Sequence, residues 1–61
     1  MQDKKQAFKE RIDSLIKRRK ACWDMSDVFL QNKDAHGLHD MGVEIQALDR
    51  AITELSKVFN A

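Results

Sequence analysis

The second half of the chain repeats its large apolar residues at steps of three and four. From residue 38 onward these residues are Leu38, Met41, Ile45, Leu48, Ile52, Leu55 and Phe59. An α-helix places all seven side chains on one stripe, whereas a β-strand would distribute them over both of its faces. The pattern therefore predicts an amphipathic helix over about residues 35–60.

The first half repeats the same spacing with one interruption. Its stripe consists of Phe8, Ile12, Leu15, Cys22, Ser26 and Phe29. Arg19 takes the missing position, where we expect its guanidinium to reach solvent or a carboxylate. The spacing predicts a helix over about residues 3–31. A break within residues 23–27, with Ser26 as a new N-cap, is the alternative and would give three shorter helices.

The connection between the two stripes is short and polar. The chain has no proline, and residues 31–34 read Gln-Asn-Lys-Asp. Asn32 suits a left-handed position at the end of the first helix, and Asp34 suits the N-cap of the second. A turn over about residues 32–34 makes the helices antiparallel neighbours. We therefore predict an all-α fold, a single domain over 1–61, in which an antiparallel two-helix hairpin dimerises into a four-helix bundle.

The prediction of a dimer depends on apolar residues outside the stripes. A 61-residue chain buries only about 60% of its unfolded surface, and its single cysteine, Cys22, excludes an internal disulfide. Residues 21–30 are apolar on more than one side, which one partner helix cannot cover. We expect a protein interface, for a second copy or for another protein, formed by Ala21, Trp23, Met25, Val28, Phe29, Val43, Ala47 and Ala51.

Charge is distributed unevenly along the chain. Residues 1–20 hold eight basic and three acidic residues (+5), and residues 21–61 hold three basic and seven acidic residues (−4). A basic helical surface can contact phosphates. Possible nucleic-acid contacts are Lys9, Lys17, Arg18 and Lys20. The carboxylates of the second helix are expected to form a solvated face, with Glu54 able to pair with Arg50.

No arrangement typical of catalysis or cofactor binding is present. His36, His39 and Asp40 fall within one helical turn, but a metal site needs further ligands, and we expect these residues to be solvated. Cys22 lies on an apolar stripe and is expected to be a small buried side chain rather than a nucleophile. We expect no enzyme activity, no metal, no cofactor and no small-molecule substrate.

Location is indicated only by what the sequence does not contain. The first fifteen residues are charged and polar, unlike a secretory signal. No apolar run approaches the roughly 20 residues of a membrane span. With a single cysteine, these features favour a cytoplasmic protein that does not enter a membrane.

Two resemblances bear on function. The length and hairpin plan resemble the Rop family, small RNA-binding four-helix-bundle dimers, in architecture only. Residues 46–52 are similar to the Ser-Gln-Glu-Leu-Asp-x-x-Ile motif of the sporulation aspartyl-phosphate phosphatases, but Ile45 replaces Ser and Ala47 replaces Glu. The second resemblance implies that Gln46 and Asp49 approach the phosphoaspartate of a response regulator.

The expected function is that of a small non-enzymatic regulator or adaptor, acting as a homodimer through helix-mediated protein association. The alternative is a Rop-like RNA- or DNA-binding bundle that uses the basic face of the first helix.

Overall fold

The structure, a computed structural model, describes residues 2–60, with side chains from residue 4 onward. Two helices, α1 (Gln2–Gln31) and α2 (Ala35–Asn60), pack against each other as a hairpin. The predicted all-α hairpin and both helix ranges are thereby confirmed, and dimerisation stays a prediction. The hairpin is elongated, with principal extents of 48 × 14 × 11 Å. Neither helix has an apolar stretch long enough to cross a membrane within this range.

Helix α1 is continuous through residues 23–27. The Ser26 hydroxyl donates a hydrogen bond to the Cys22 carbonyl oxygen at 2.9 Å, so it does not cap a new helix. This bond satisfies the buried hydroxyl within the helix's own backbone. The alternative of three shorter helices is wrong for this reason.

The two apolar stripes form the seam of the hairpin. Its buried hydrophobic residues are Leu15 and Cys22 of α1 and Ile45 and Leu48 of α2. Around them pack further side chains of α2, namely Met41, Ala51, Ile52 and Leu55. The burial of Cys22 confirms its assignment to the core. The seam is narrow because a hairpin offers each helix only one neighbour.

The turn closes α1 with a left-handed residue, but that residue is Lys33 (φ 55°) and not Asn32 as the sequence suggested. The Lys33 N–H donates to the Leu30 carbonyl at 3.1 Å, and the Asp34 N–H donates to the Phe29 carbonyl at 2.8 Å. These two bonds make a Schellman motif, which satisfies carbonyls at the helix end. Its left-handed position falls one residue later than predicted.

The start of α2 is fixed by a cap and by a close contact. The Asp34 carboxylate accepts a hydrogen bond from the Gly37 N–H at 3.0 Å, which confirms Asp34 as the N-cap. Gly37 also lies against the ring of Phe29: a Cβ atom at position 37 would be 2.5 Å from Cδ1 of that ring. The absence of a side chain at Gly37 therefore allows the helices to meet closely beside the turn.

Candidate protein interface

Two ion pairs lie on opposite sides of the seam. Arg19 donates to the Asp49 carboxylate at 2.8 Å, and Arg18 lies 3.0 Å from the Glu44 carboxylate. Consecutive residues of a helix point about 100° apart, so the two arginines straddle the stripe that faces α2. The Arg19 side chain therefore extends from its stripe position to a carboxylate at the edge of α2. Glu44 and Asp49 of the acidic face both pair with arginines of α1; Asp49 is exposed as predicted, whereas Glu44 is half-buried.

One edge of the hairpin contains Ile16, Trp23 and Leu30 of α1, which are spaced seven residues apart. We call this edge the Trp23 edge. Trp23 is 56% exposed and Leu30 63%. A shallow groove beside Trp23 is lined from α2 by Gly42, Gln46 and Asp49, and no neighbouring atom lies within 4 Å of a Cβ position at Gly42. The edge combines apolar side chains with polar groups along the same groove.

We call the opposite edge the Met25 face. It contains small and apolar side chains from both helices: Ala21, Met25 and Val28 of α1 and Ala47, Ala51 and Val58 of α2. Met25 and Val28 are each 44% exposed, and Val58 is 55% exposed. Met25 points about 200° away from Trp23 around α1, which places the two on different sides of the hairpin. The alanines leave room for a second helix to approach closely.

The predicted interface residues are therefore divided among several places. Trp23 lies on its own edge, and Val43 lies on the side of α2 that faces away from α1, where it is exposed. Phe29 is half-buried against Gly37, and Ala51 packs partly against the core. The exposed members that share the Met25 face are Ala21, Met25, Val28 and Ala47.

Four exposed large apolar residues were not among the predicted interface positions. These are Ile16, Leu30, Leu38 and Val58, all on the surface of the hairpin. The signal for the first two was present in the sequence, because positions 16, 23 and 30 are seven residues apart and fall along one line of a helix.

A second apolar groove lies near the chain termini. It is lined by Ala7, Phe8 and Leu55, with Lys4 and Arg11 beside them. At the same end, the Lys5 ammonium lies 6.0 Å from the centre of the Phe59 ring, which connects the beginning of α1 to the end of α2. This groove and the exposed Met25 are at opposite ends of the hairpin.

The basic residues do not form one continuous surface. Lys9, Lys17 and Lys20 are exposed on the outer side of α1, whereas Arg18 pairs with Glu44. The acidic residues Glu10 and Asp13 lie on the same outer side. On α2, Glu54 lies 3.8 Å from Lys57 rather than pairing with Arg50 as expected.

The histidines are exposed at the start of α2, together with Asp40. Over residues 2–60, no three His, Cys, Asp or Glu side chains are grouped so that they could hold a metal ion.

Comparison of this chain with protein families, with characterised proteins and with solved structures finds no match.

Proposed function

We propose that this chain is a non-enzymatic protein-binding module that associates through its helices into a homodimeric four-helix bundle. The amount of exposed surface carries the proposal. The hairpin exposes 5130 Å², whereas a compact monomer of 7.1 kDa is expected to expose about 4,100 Å². The excess, roughly 1,000 Å², is close to the ~800 Å² that each partner buries in a standard protein interface.

The Met25 face is the proposed site of self-association. Its alanines permit close helix packing, while Met25, Val28 and Val58 supply exposed apolar area. Burying apolar surface contributes about 25 cal/mol per Å², so covering Met25, Val28 and Val58 would stabilise a chain that has four buried hydrophobic residues in its described part. Dimerisation is therefore proposed to stabilise the hairpin as well as to join two copies.

In the proposed dimer the Trp23 edge stays exposed, where it can bind a second protein. A half-exposed tryptophan beside a groove with polar groups is the composition expected of a binding surface, since aromatic residues are enriched at interfaces. A dimer built on the Met25 face would present two such edges on its outside. This arrangement supports the role of an adaptor or regulator that binds another protein.

Light scattering over a concentration series tests the proposal. The wild-type chain is expected to have the mass of a dimer, and the double variant Met25→Asp/Val28→Asp is expected to be a helical monomer. Leu30→Asp is the matched control: it adds a charge at an exposed apolar position on the Trp23 edge and should leave the dimer intact. A monomeric wild-type chain, or dissociation by Leu30→Asp alone, would contradict the assignment to the Met25 face.

Nucleic-acid binding is the second candidate, supported by three exposed lysines at positions 9, 17 and 20 of α1. Binding through phosphates weakens steeply as salt rises, whereas apolar association does not. Titration of a labelled RNA hairpin or DNA duplex at low salt tests it. No binding there would dispose of this candidate and leave the protein-binding proposal untouched.

A further inference from the structure

Resting on the protein-binding function proposed for the Trp23 edge, we propose that this edge binds a single α-helix of a partner protein. The partner helix has large apolar side chains spaced seven residues apart and a carboxylate near each of its ends. Docked along the edge, it forms a three-helix bundle with α1 and α2. The dimer is not needed for this contact, because the Met25 face lies on the other side of the hairpin.

Three shallow pockets lie in a row along the Trp23 edge. The first is lined by Ile16 and Trp23, the middle one by Trp23 and Leu38, and the last, beside the turn, by Leu30 and Leu38. Trp23 belongs to the first two pockets and Leu38 to the last two, so the row is continuous. The first and middle pockets measure about 380 and 430 Å³, so each can take a large side chain.

The pockets recur at the spacing of side chains on a helix. Ile16, Trp23 and Leu30 are seven residues apart, which corresponds to about 10.5 Å along α1 at 1.5 Å per residue. A second helix lying along this edge presents one line of side chains at the same interval, so they enter successive pockets as knobs. Side chains on one face of a β-strand recur at about 7 Å, which does not match. The edge therefore fits a helix rather than an extended segment.

Gly42 leaves the middle pocket open. No atom lies within 4 Å of a Cβ position at Gly42, and the buried Ile45 lines the same pocket. A side chain that enters here covers Trp23 and contacts part of the hairpin's core. Gly37 differs, because the ring of Phe29 already occupies the space beside it. The middle pocket therefore takes the central apolar side chain of the partner helix.

The charges that line the row define the ends of the partner. Arg19 and Asp49 pair with each other at 2.8 Å, and Asp34 is the N-cap of α2. Lys20 lines the first pocket and Lys33 the last, and neither forms an ion pair within the described part of the chain. Each end of the row therefore presents an ammonium group, which a carboxylate at each end of the partner helix complements.

The same two lysines disfavour a second copy as the occupant. If two Trp23 edges packed on each other about a twofold axis, Lys20 would face either Lys20 or Lys33 of the other copy, depending on the direction of the axis. Like charges repel across an interface in both cases. A chain of different sequence, with carboxylates at these places, avoids the repulsion.

A synthetic peptide tests this surface directly. The probe is a helix of about 21 residues, three heptads of alanine and glutamine with a leucine at every seventh position and a glutamate near each end. The control peptide has lysine in place of both glutamates. Trp23 is the only tryptophan, so a shift of its emission to shorter wavelength reports that the edge is covered. At about 0.05 M salt, the acidic peptide is expected to bind about tenfold more tightly than the basic peptide.

Substitutions locate the bound peptide. Gly42→Leu fills the middle pocket and improves helix propensity, so this variant should fold at least as stably as the wild type and bind the acidic peptide about tenfold more weakly. Val43→Leu is the matched control, because Val43 is exposed on the side of α2 that faces away from α1, and it should leave binding unchanged. Lys20→Glu/Lys33→Glu should reverse the preference, so that the basic peptide binds more tightly.

The outcomes separate this surface from the proposed dimer. No emission shift with the acidic peptide, equal affinities of the two peptides, or binding that Gly42→Leu leaves unchanged would overturn the helix partner. A shift produced by raising the concentration of the protein alone would identify a second copy as the occupant and overturn it too. Light scattering judges the homodimer separately: a monomeric chain that binds the acidic peptide would contradict the dimer and leave the helix partner standing.

Discussion

The ring of Phe29 occupies the space that a side chain at position 37 would need. A Cβ atom there would lie 2.5 Å from Cδ1 of the ring and 2.8 Å from Cγ, so the whole ring and not only its outer edge would have to move. Gly37→Ala is therefore expected to lower the free energy of unfolding by about 1–2 kcal/mol, because the cost of overpacking exceeds the better helix propensity of alanine. Urea denaturation at a fixed protein concentration measures this.

Gly42→Ala is the matched control for that variant. Both glycines lie in α2, but nothing lies within 4 Å of a Cβ position at Gly42. We expect Gly42→Ala to raise stability by up to about 1 kcal/mol. If Gly37→Ala were as stabilising as Gly42→Ala, the contact with Phe29 would not restrict position 37. Replacing Phe29 with alanine should remove most of the penalty of Gly37→Ala, which a double-mutant cycle measures.

Lys33 holds a left-handed conformation that favours glycine. Lys33→Gly should raise the free energy of unfolding by about 1 kcal/mol, because a residue with a Cβ atom is strained in this conformation. Asn32→Gly is the control, since the turn requires no left-handed backbone at that position. A gain in thermal stability from Asn32→Gly but not from Lys33→Gly would show that the turn closes at the residue suggested by the sequence.

The carboxylate of Asp34 caps α2 through the N–H of Gly37. Asp34→Ala should destabilise the hairpin by about 1 kcal/mol, since it removes the acceptor for one of the free N–H groups at the helix start. Asp34→Asn preserves an oxygen acceptor and should remain close to the wild type. Equal losses in the two variants, measured by chemical denaturation, would mean that the charge of Asp34 matters and that its capping bond does not.

Arg19 occupies a stripe position between Leu15 and Cys22, yet its guanidinium pairs with the exposed Asp49. Exposed ion pairs contribute about 0–1 kcal/mol, less than the burial of a leucine side chain. Arg19→Leu is therefore expected to raise stability by about 1 kcal/mol. Arg19→Ala removes the same ion pair without adding a large apolar side chain, and it should not be stabilising. A loss of stability with Arg19→Leu would show that the ion pair, and not the packing, determines the contribution of this position.

The positions of the helices could be predicted because their apolar spacing is regular over many residues. The stripes ending at Phe29 and beginning at Leu38 leave only a few residues for the turn, and Asp34 is a typical capping residue. The predicted left-handed residue, Asn32, is one position too early, because Asn adopts that conformation more readily than Lys does. Local preference favoured Asn32, but the hydrogen bonds that end α1 place the conformation at Lys33.

The distribution of the exposed apolar residues over the two sides of the hairpin was harder to predict. Spacing within α1 shows that Trp23 and Met25 point in different directions, but it does not show how much of each flank α2 covers. The close contact between Phe29 and Gly37 depends on the path of the turn, which no periodic pattern describes. For the same reason, the pairing of Arg18 with Glu44 and of Arg19 with Asp49 required the structure, since it depends on the register between the helices.

Cys22 gives the chain a natural chemical reporter of opening. It is the only cysteine and is buried in the seam between the helices. A thiol reagent should therefore react with it only in molecules whose helices have separated, so the rate of modification under native conditions measures how often the hairpin opens. If opening requires the dimer to dissociate first, that rate will fall as the protein concentration rises, and the measurement needs no substitution or denaturant.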